Sequence, residues 1–332
     1  RRGSSAYTPT ARTHAPTSAP LHAGGGRLPV PSMLRYLLRG TPKPVLAHRR
    51  HATDGMVDLS AEVPGLNLDH AALDELCKQL LPDTFEVQRA TTNRMAQLGT
   101  FSEYIVVNEA SLVRIEPWYD LRAAALISCG ISTGFGSAVH RANVKPGDTV
   151  VVIGAGGVGS GAIQGAAMAG ARAVVAIDTN PSKVDRALKI GATHGCANTM
   201  EAAFNILPEL TMGKNADVVI ITVGVLTGDL IEQARSILAK GGGMVTTSIA
   251  PYHQNTVDLN LFAFAMFNQE IRGTVFGSES PRVQIPRLLR LHSEGKLIID
   301  ELITREYSLD EVQQGYQDMY AGKNVRGVVR FD

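Results

Sequence analysis

The sequence predicts an α/β fold, a doubly wound parallel sheet with helices on both faces. Three observations lead there. Residues 149–178, TVVVIGAGGVGSGAIQGAAMAGARAVVAID, run from an apolar strand through a glycine turn and a small-residue helix to a second apolar strand. Beyond them, apolar runs alternate with amphipathic helical stretches to about residue 249. The runs are largely continuous, as in strands covered on both faces.

Taken in order, FSEYIVV (101–107) and SLVRIE (111–116) alternate polar and apolar residues, the pattern of half-buried strands. Residues 120–142 mix Ala, Leu and Gly in a helical segment, and Pro146-Gly147 marks a turn into the first strand of the glycine unit. A helix over 157–169 leads to a strand at 172–177, and Pro181, favoured at the first helical position, opens a helix over 181–190. There follow a helix near 200–210, strand 217–223 (DVVIITV), helix 227–239 and strand 243–249 (GMVTTSI). Strand 271–277 (IRGTVFG), helices 282–293 and 309–320, and strand 325–331 (VRGVVRF) complete the pattern. No internal repeat of solenoid period is present.

The glycine turn carries the chemistry. Gly154 permits the turn, Gly156 lets backbone approach a phosphate, and Gly159 lets helix and strand pack closely. This is the Rossmann unit that seats a dinucleotide's pyrophosphate on a helix N-terminus. Asp178 lies 19 residues beyond Gly159, where a carboxylate accepts from the adenosine ribose hydroxyls. A carboxylate there repels a 2′-phosphate, so NAD is expected over NADP. The bland alternative is a glycine-rich turn with no nucleotide.

Composition narrows the classes. The chain has 332 residues, 44% hydrophobic and 19% charged, with net charge +1, so nothing favours nucleic acid or an anionic membrane. No uninterrupted apolar run reaches the length of a membrane span. The three cysteines, Cys77, Cys129 and Cys196, form no C-x-x-C pair, and an intracellular, cytoplasmic location is expected. Residues 1–53 hold eight Arg, one Lys and no acid, among many Pro, Thr, Ser, His and Gly. That composition predicts a disordered or irregular leader over 1–55 rather than a secretory signal.

The segment AALISCGISTGFGSAVHRANVKPGDTVVVIGAGGVG resembles the zinc-containing alcohol dehydrogenases of the medium-chain dehydrogenase/reductase superfamily. Within them, LGTFSEYIVVNEASLVRIE and GYQDMYAGKNVRGVVRF look most like the nicotinoprotein-type, nitrosoaniline-dependent members, and the likeness covers roughly residues 96–332. It implies a domain plan: a remnant of a catalytic domain over 56–135, truncated or altered, an NAD-binding Rossmann domain over 136–276, and a return to the catalytic domain over 277–332.

Site residues follow from the same resemblance. Gly154, Gly156, Gly157, Val158 and Gly159 match the phosphate loop, Asp178 the ribose acid, and Lys183 a cation beside that ribose. Val223, Gly224, Thr247, Ser248 and Ile249 match positions around the nicotinamide half, and Phe276 a backbone contact to its carboxamide. Arg326 matches an arginine that reaches the pyrophosphate, and Cys129 one of three ligands of a catalytic zinc. Cys196 is expected in a loop, in a structural role.

The sequence also departs from that family. No upstream Gly-His-Glu segment or cluster of four cysteines is present, His48, His51 and His70 lie in other contexts, and Cys77 reads as buried filler. One explanation, the favoured one, is replacement of the N-terminal half of the catalytic domain by unrelated sequence, for example through a shifted frame or wrong gene start. The others are a zinc-free enzyme and a pseudoenzyme that still binds dinucleotide. The family activity is NAD-dependent alcohol/aldehyde oxidoreduction on a small molecule, with a homo-oligomer expected. Turnover by this chain is in question because two zinc ligands are missing. The alternatives are a non-catalytic dinucleotide-binding protein and a zinc-independent reductase of the same superfamily.

Overall fold

Five buried residues, Thr149–Ile153, form the central strand β1. Four are β-branched aliphatics that suit a pleat covered on both sides. Around it the chain builds a parallel sheet with β2 (Ala173–Asp178), β3 (His194–Ala197), β4 (Ala216–Ile221), β5 (Leu238–Thr246) and β6 (Glu270–Gly273). The strand order is β3-β2-β1-β4-β5-β6, so the winding reverses between β1 and β4. In open sheets of this order, ligands bind outside the C-terminal ends of the strands at such a reversal. This computed structural model describes residues 100, 101, 105, 107, 111–197, 200–251, 254 and 256–331. All of them fall in one unit that includes residues 94–332.

Alternate side chains of each strand point to opposite faces, giving two buried cores. On one face Val150, Val152, Val174, Ala176, Val218 and Ile220 meet helices α1 (Leu121–Arg141), α2 (Gly157–Met168), α3 (Pro181–Lys189) and the later α7 (Pro281–Ser293). On the other, Val151, Ile153, Val175, Ile177, Val219, Ile221 and Met244 meet α4 (Met200–Thr211) and α5 (Gly228–Ser236). A short helix α6 (Leu261–Met266), capped by Asn260, precedes β6. Strand β7 (Ile303–Tyr307), helix α8 (Val312–Tyr320) and strand β8 (Arg326–Val329) close the chain, β7 pairing with β8 in a separate sheet. By length and composition α1 is, among the described residues, the one helix that meets the criterion for a membrane span. Its Ile127, Ile131, Phe135 and Ala138 are nonetheless packed in the core.

Helices α1 and α2 touch backbone to backbone. A Cβ at Gly134 would lie 1.8 Å from Val158 O, and one at Gly161 would lie 2.5 Å from Ile131 O. At the start of α2, a Cβ on Gly159 would lie 1.8 Å from Gly154 O. Glycine is required at these positions because nothing larger fits between two main chains.

Several elements differ from expectation. SLVRIE (111–116) is not a strand: Val113 and Ile115 lie on the core, but the segment pairs with no strand among the described residues, and alternation reports a buried face rather than a ladder. Most of FSEYIVV, and the expectations for residues 1–99, lie outside the described residues. Cys196 sits in the edge strand β3 rather than in a loop, paired with Ile177. The expected strands 217–223, 243–249 and 271–277 stop at Ile221, Thr246 and Gly273. Their remaining residues continue beyond the assigned strands. Helix 309–320 begins as a 3₁₀ turn, Leu309–Glu311, behind a Ser308/Glu311 capping box.

The contact at the start of α2 is testable. Gly159→Ala should cost about 3 kcal/mol or prevent folding, since the obstructing atom is main-chain oxygen. Gly156→Ala, whose Cβ would meet nothing within 4 Å, should change stability by less than about 1 kcal/mol. Urea denaturation of both variants measures the difference.

Candidate dinucleotide site

The phosphate loop begins where β1 ends. Gly154 takes φ +96°, a conformation that glycine tolerates best. Its N–H donates to Ile177 O at 2.7 Å, and its carbonyl accepts from Thr222 Oγ1 at 2.6 Å. The turn is thereby tied to both neighbouring strands. Gly156 is the N-cap of α2 and supplies no side-chain cap, so the first-turn amides at Gly157, Val158 and Gly159 have no side-chain partner there. The space beyond Gly156 is open. An uncapped helix start facing open space is an anion seat.

Asp178 ends β2 beside that loop. Its Oδ2 accepts from Ala155 N–H at 2.8 Å and its Oδ1 from Asn180 N–H at 2.8 Å. Both oxygens keep lone pairs for further donors such as ribose hydroxyls. Asn180 caps α3 through Ser182 N–H at 3.0 Å, and its Nδ2 donates to Gly322 O at 3.1 Å. Lys183 is half-buried in the first turn of α3.

Arg326, the first residue of β8, reaches the same place from the far end of the sequence. A Cβ at Gly157 would lie 1.7 Å from its Nε, and one at Gly130 would lie 2.6 Å from its Nη2. Two glycines therefore cradle this guanidinium between α1 and the start of α2. Burial draws its pKa below the ordinary arginine value, while the neighbouring Cys129 acts in the opposite sense. Among the described residues no carboxylate or other acceptor pairs with it. An unpartnered cation over an uncapped helix start fits a pyrophosphate.

The other expected residues gather along the same edge. Val223 and Gly224 follow β4, and Thr247, Ser248 and Ile249 follow β5. Thr247 N–H donates to Ile221 O at 3.1 Å, Ser248 Oγ to Ile221 O at 3.3 Å, and Leu226 N–H to Ile249 O at 3.2 Å. Ile249 is 76% exposed, an apolar side chain with no described cover. Phe276 lies in a 3₁₀ turn after β6 rather than in a strand, with φ +49°. The adjacent Gly277 docks on α1, where its Cβ would lie 2.6 Å from Ser132 O. This contact brings the Phe276 turn beside the helix that carries Cys129.

Cys129 lies in a π-helical turn of α1, Ile127–Ile131, and is exposed. Such bulges shift side-chain register and recur at functional sites. No three His, Cys, Asp or Glu side chains come together among the described residues. Among the described residues, Cys129 stands without co-ligands for a catalytic zinc. Sequence reasoning missed Thr222, Asn180, Gly130 and Gly322. Asn180 was open to it, since Asn before Pro is a helix-start signal.

Residues 157–294 match the zinc-binding dehydrogenase family. An NDMA-dependent alcohol dehydrogenase of Amycolatopsis methanolica is 43% identical over 252 residues, 75% of this chain and 68% of that protein. The chain belongs to the zinc-binding alcohol dehydrogenases. Alcohol dehydrogenase B of Mycobacterium tuberculosis is 44% identical over 250 residues, 75% of this chain and 66% of that protein. The chain thus spans about two thirds of the length of these curated relatives. Benzyl alcohol dehydrogenase of Acinetobacter calcoaceticus has a similar structure, with TM-score 0.62 and 27% identity over 66% of this chain and 59% of its own. For this member of the family, Arg326→Gln should leave the urea midpoint near wild type and weaken NADH binding by about 1.5–3 kcal/mol, read by calorimetry. Unchanged affinity would remove Arg326 from the site.

Proposed function

We propose that this chain binds NAD in the crevice between β1 and β4 and serves NAD-dependent alcohol/aldehyde oxidoreduction. The observation that carries the reading is the Arg326 guanidinium, cradled by Gly130 and Gly157 over the uncapped start of α2 with no anion of its own among the described residues. In this reading Gly154, Gly156, Gly157, Val158, Gly159 and Arg326 hold the pyrophosphate. Asp178 holds the ribose hydroxyls, and Lys183 adds a cation beside them. Val223, Gly224, Thr247, Ser248, Ile249 and the Phe276 backbone flank the nicotinamide. Bound there, the nicotinamide ring supplies the carbon that exchanges hydride with the substrate. The protein fixes the face of that ring and keeps water from it.

The domain plan goes with this proposal: 136–276 for the dinucleotide, and 277–332 returning to deliver Arg326. Zinc is the metal the family name implies, and Cys129 is the position offered for it. No step is assigned to zinc, because Cys129 has no co-ligands among the described residues. The lack of a Gly-His-Glu segment in the sequence favours a second reading, a dinucleotide-binding protein without alcohol turnover. Alcohol-dependent NADH formation by the purified chain separates the two. A cytoplasmic location, without nucleic-acid or membrane partners, completes the reading.

Calorimetry should give NADH an affinity at least about tenfold above NADPH, from carboxylate–phosphate repulsion at Asp178. Asp178→Asn should shrink that preference. A wild-type preference for NADPH contradicts the proposal.

We also propose a homo-oligomer built on β6. Among the described residues that strand is the sheet's edge, and Ile271 on it, with Phe262 and Met266 on α6 and Val275 beyond, is exposed. An open edge bordered by apolar surface favours pairing with another strand. Light scattering should find a dimer or larger species, and Ile271→Lys should shift it toward monomer. A wild-type monomer at micromolar concentration contradicts this.

A further inference from the structure

The β7–α8–β8 segment holds a buried carboxylate that neither the glycine motif nor the crevice accounts for. Asp318 on α8 is 1% exposed. Its Oδ2 accepts from Tyr307 Oη at 2.9 Å and from Arg305 Nη1 at 2.6 Å, and its Oδ1 accepts from Gln314 Nε2 at 3.0 Å. Lys323 Nζ lies 3.7 Å from Oδ1. These contacts, the Tyr307 hydroxyl foremost, hold the carboxyl below the ordinary aspartate range against the opposing effect of its burial.

The network points at the residues around Arg326. Tyr307 Oη also accepts from Asn324 Nδ2 at 3.0 Å. The Tyr307 ring lies on Gly327, where a Cβ would come 2.6 Å from Cε2. Thr304 Oγ1 accepts from Val325 N–H at 3.0 Å and donates to Arg326 O at 3.3 Å. Lys323 N–H donates to Asp318 O at 2.9 Å. The backbone on both sides of Arg326 is therefore fixed, while its guanidinium has no acceptor among the described residues. A rigid stem bearing an unpartnered head is what a pre-placed anion ligand requires, because ordering the arm beforehand lowers the entropy lost on binding.

We propose that Asp318 and Tyr307 are positioning residues for Arg326, and through it for the pyrophosphate half of the dinucleotide. This rests on the dinucleotide reading above. A merely structural role would weaken every ligand alike. A positioning role weakens those that carry the pyrophosphate and spares those that lack it.

The experiment compares ADP with adenosine, each measured by displacement of NADH from the full chain, in wild type, Asp318→Asn, Tyr307→Phe and each combined with Arg326→Gln. Tyr307→Phe keeps the ring on Gly327 and removes the hydroxyl, so it decides the matter if Asp318→Asn does not fold. Each single variant should lose about tenfold in ADP affinity and less than about twofold in adenosine affinity. In the Arg326→Gln background neither should lose more than about a further twofold, as expected of residues acting through that side chain. Wild-type ADP affinity in folded Tyr307→Phe, equal losses for both ligands, or additive losses would overturn the inference alone. A wild-type chain that binds neither NADH nor ADP would overturn the dinucleotide reading along with it.

Discussion

The approach of Gly159 to Gly154 O is the constraint on which the rest depends. It sets how closely α2 can follow β1, and so where the first-turn amides of α2 stand relative to the end of the sheet. Once that start is fixed, Ala155 N–H can reach Asp178, Thr222 can brace Gly154, and α1 can lie on α2 through Gly134 and Gly161. Each of these contacts joins main chain to main chain or to a short polar side chain. A single added methyl group cannot be absorbed by rotating a side chain, so the site and the fold share the same tolerances.

Much of the nucleotide-binding half was legible in the sequence because its demands fall on single residues. Positive φ at Gly154, close packing at Gly159 and an acid at the end of β2 are local requirements that a pattern can display. Strand ends were less legible. Val223, Thr247 to Ile249 and Phe276 follow strand-like sequence past the point where the assigned strands stop, and composition does not mark that point. The edge strand β3 and the strand β7 carry too few apolar residues to announce themselves. Least legible was the network beside Arg326, in which Tyr307 of β7, Asp318 of α8 and Asn324 of the loop between α8 and β8 meet. Resemblance singled the residue out; the cradle formed by Gly130 and Gly157 appears only in three dimensions.

The two halves of the crevice differ in completeness. On the proposed phosphate side, Asp178 is tied to Ala155, Thr222 to Gly154, and Arg326 lies against Gly157. On the substrate side, Cys129 stands exposed on a π-turn with no second ligand among the described residues. The fold orients that helix well, since the Gly277 turn docks against Ser132 and ties the Phe276 loop to it.

A crystal structure of the full chain grown with NADH tests the central claim most directly. The account predicts pyrophosphate oxygens within hydrogen-bonding distance of the amides of Gly157 to Gly159 and of the Arg326 guanidinium, with the adenosine ribose on Asp178. Density for the dinucleotide elsewhere, or Arg326 turned away from an occupied crevice, would contradict it.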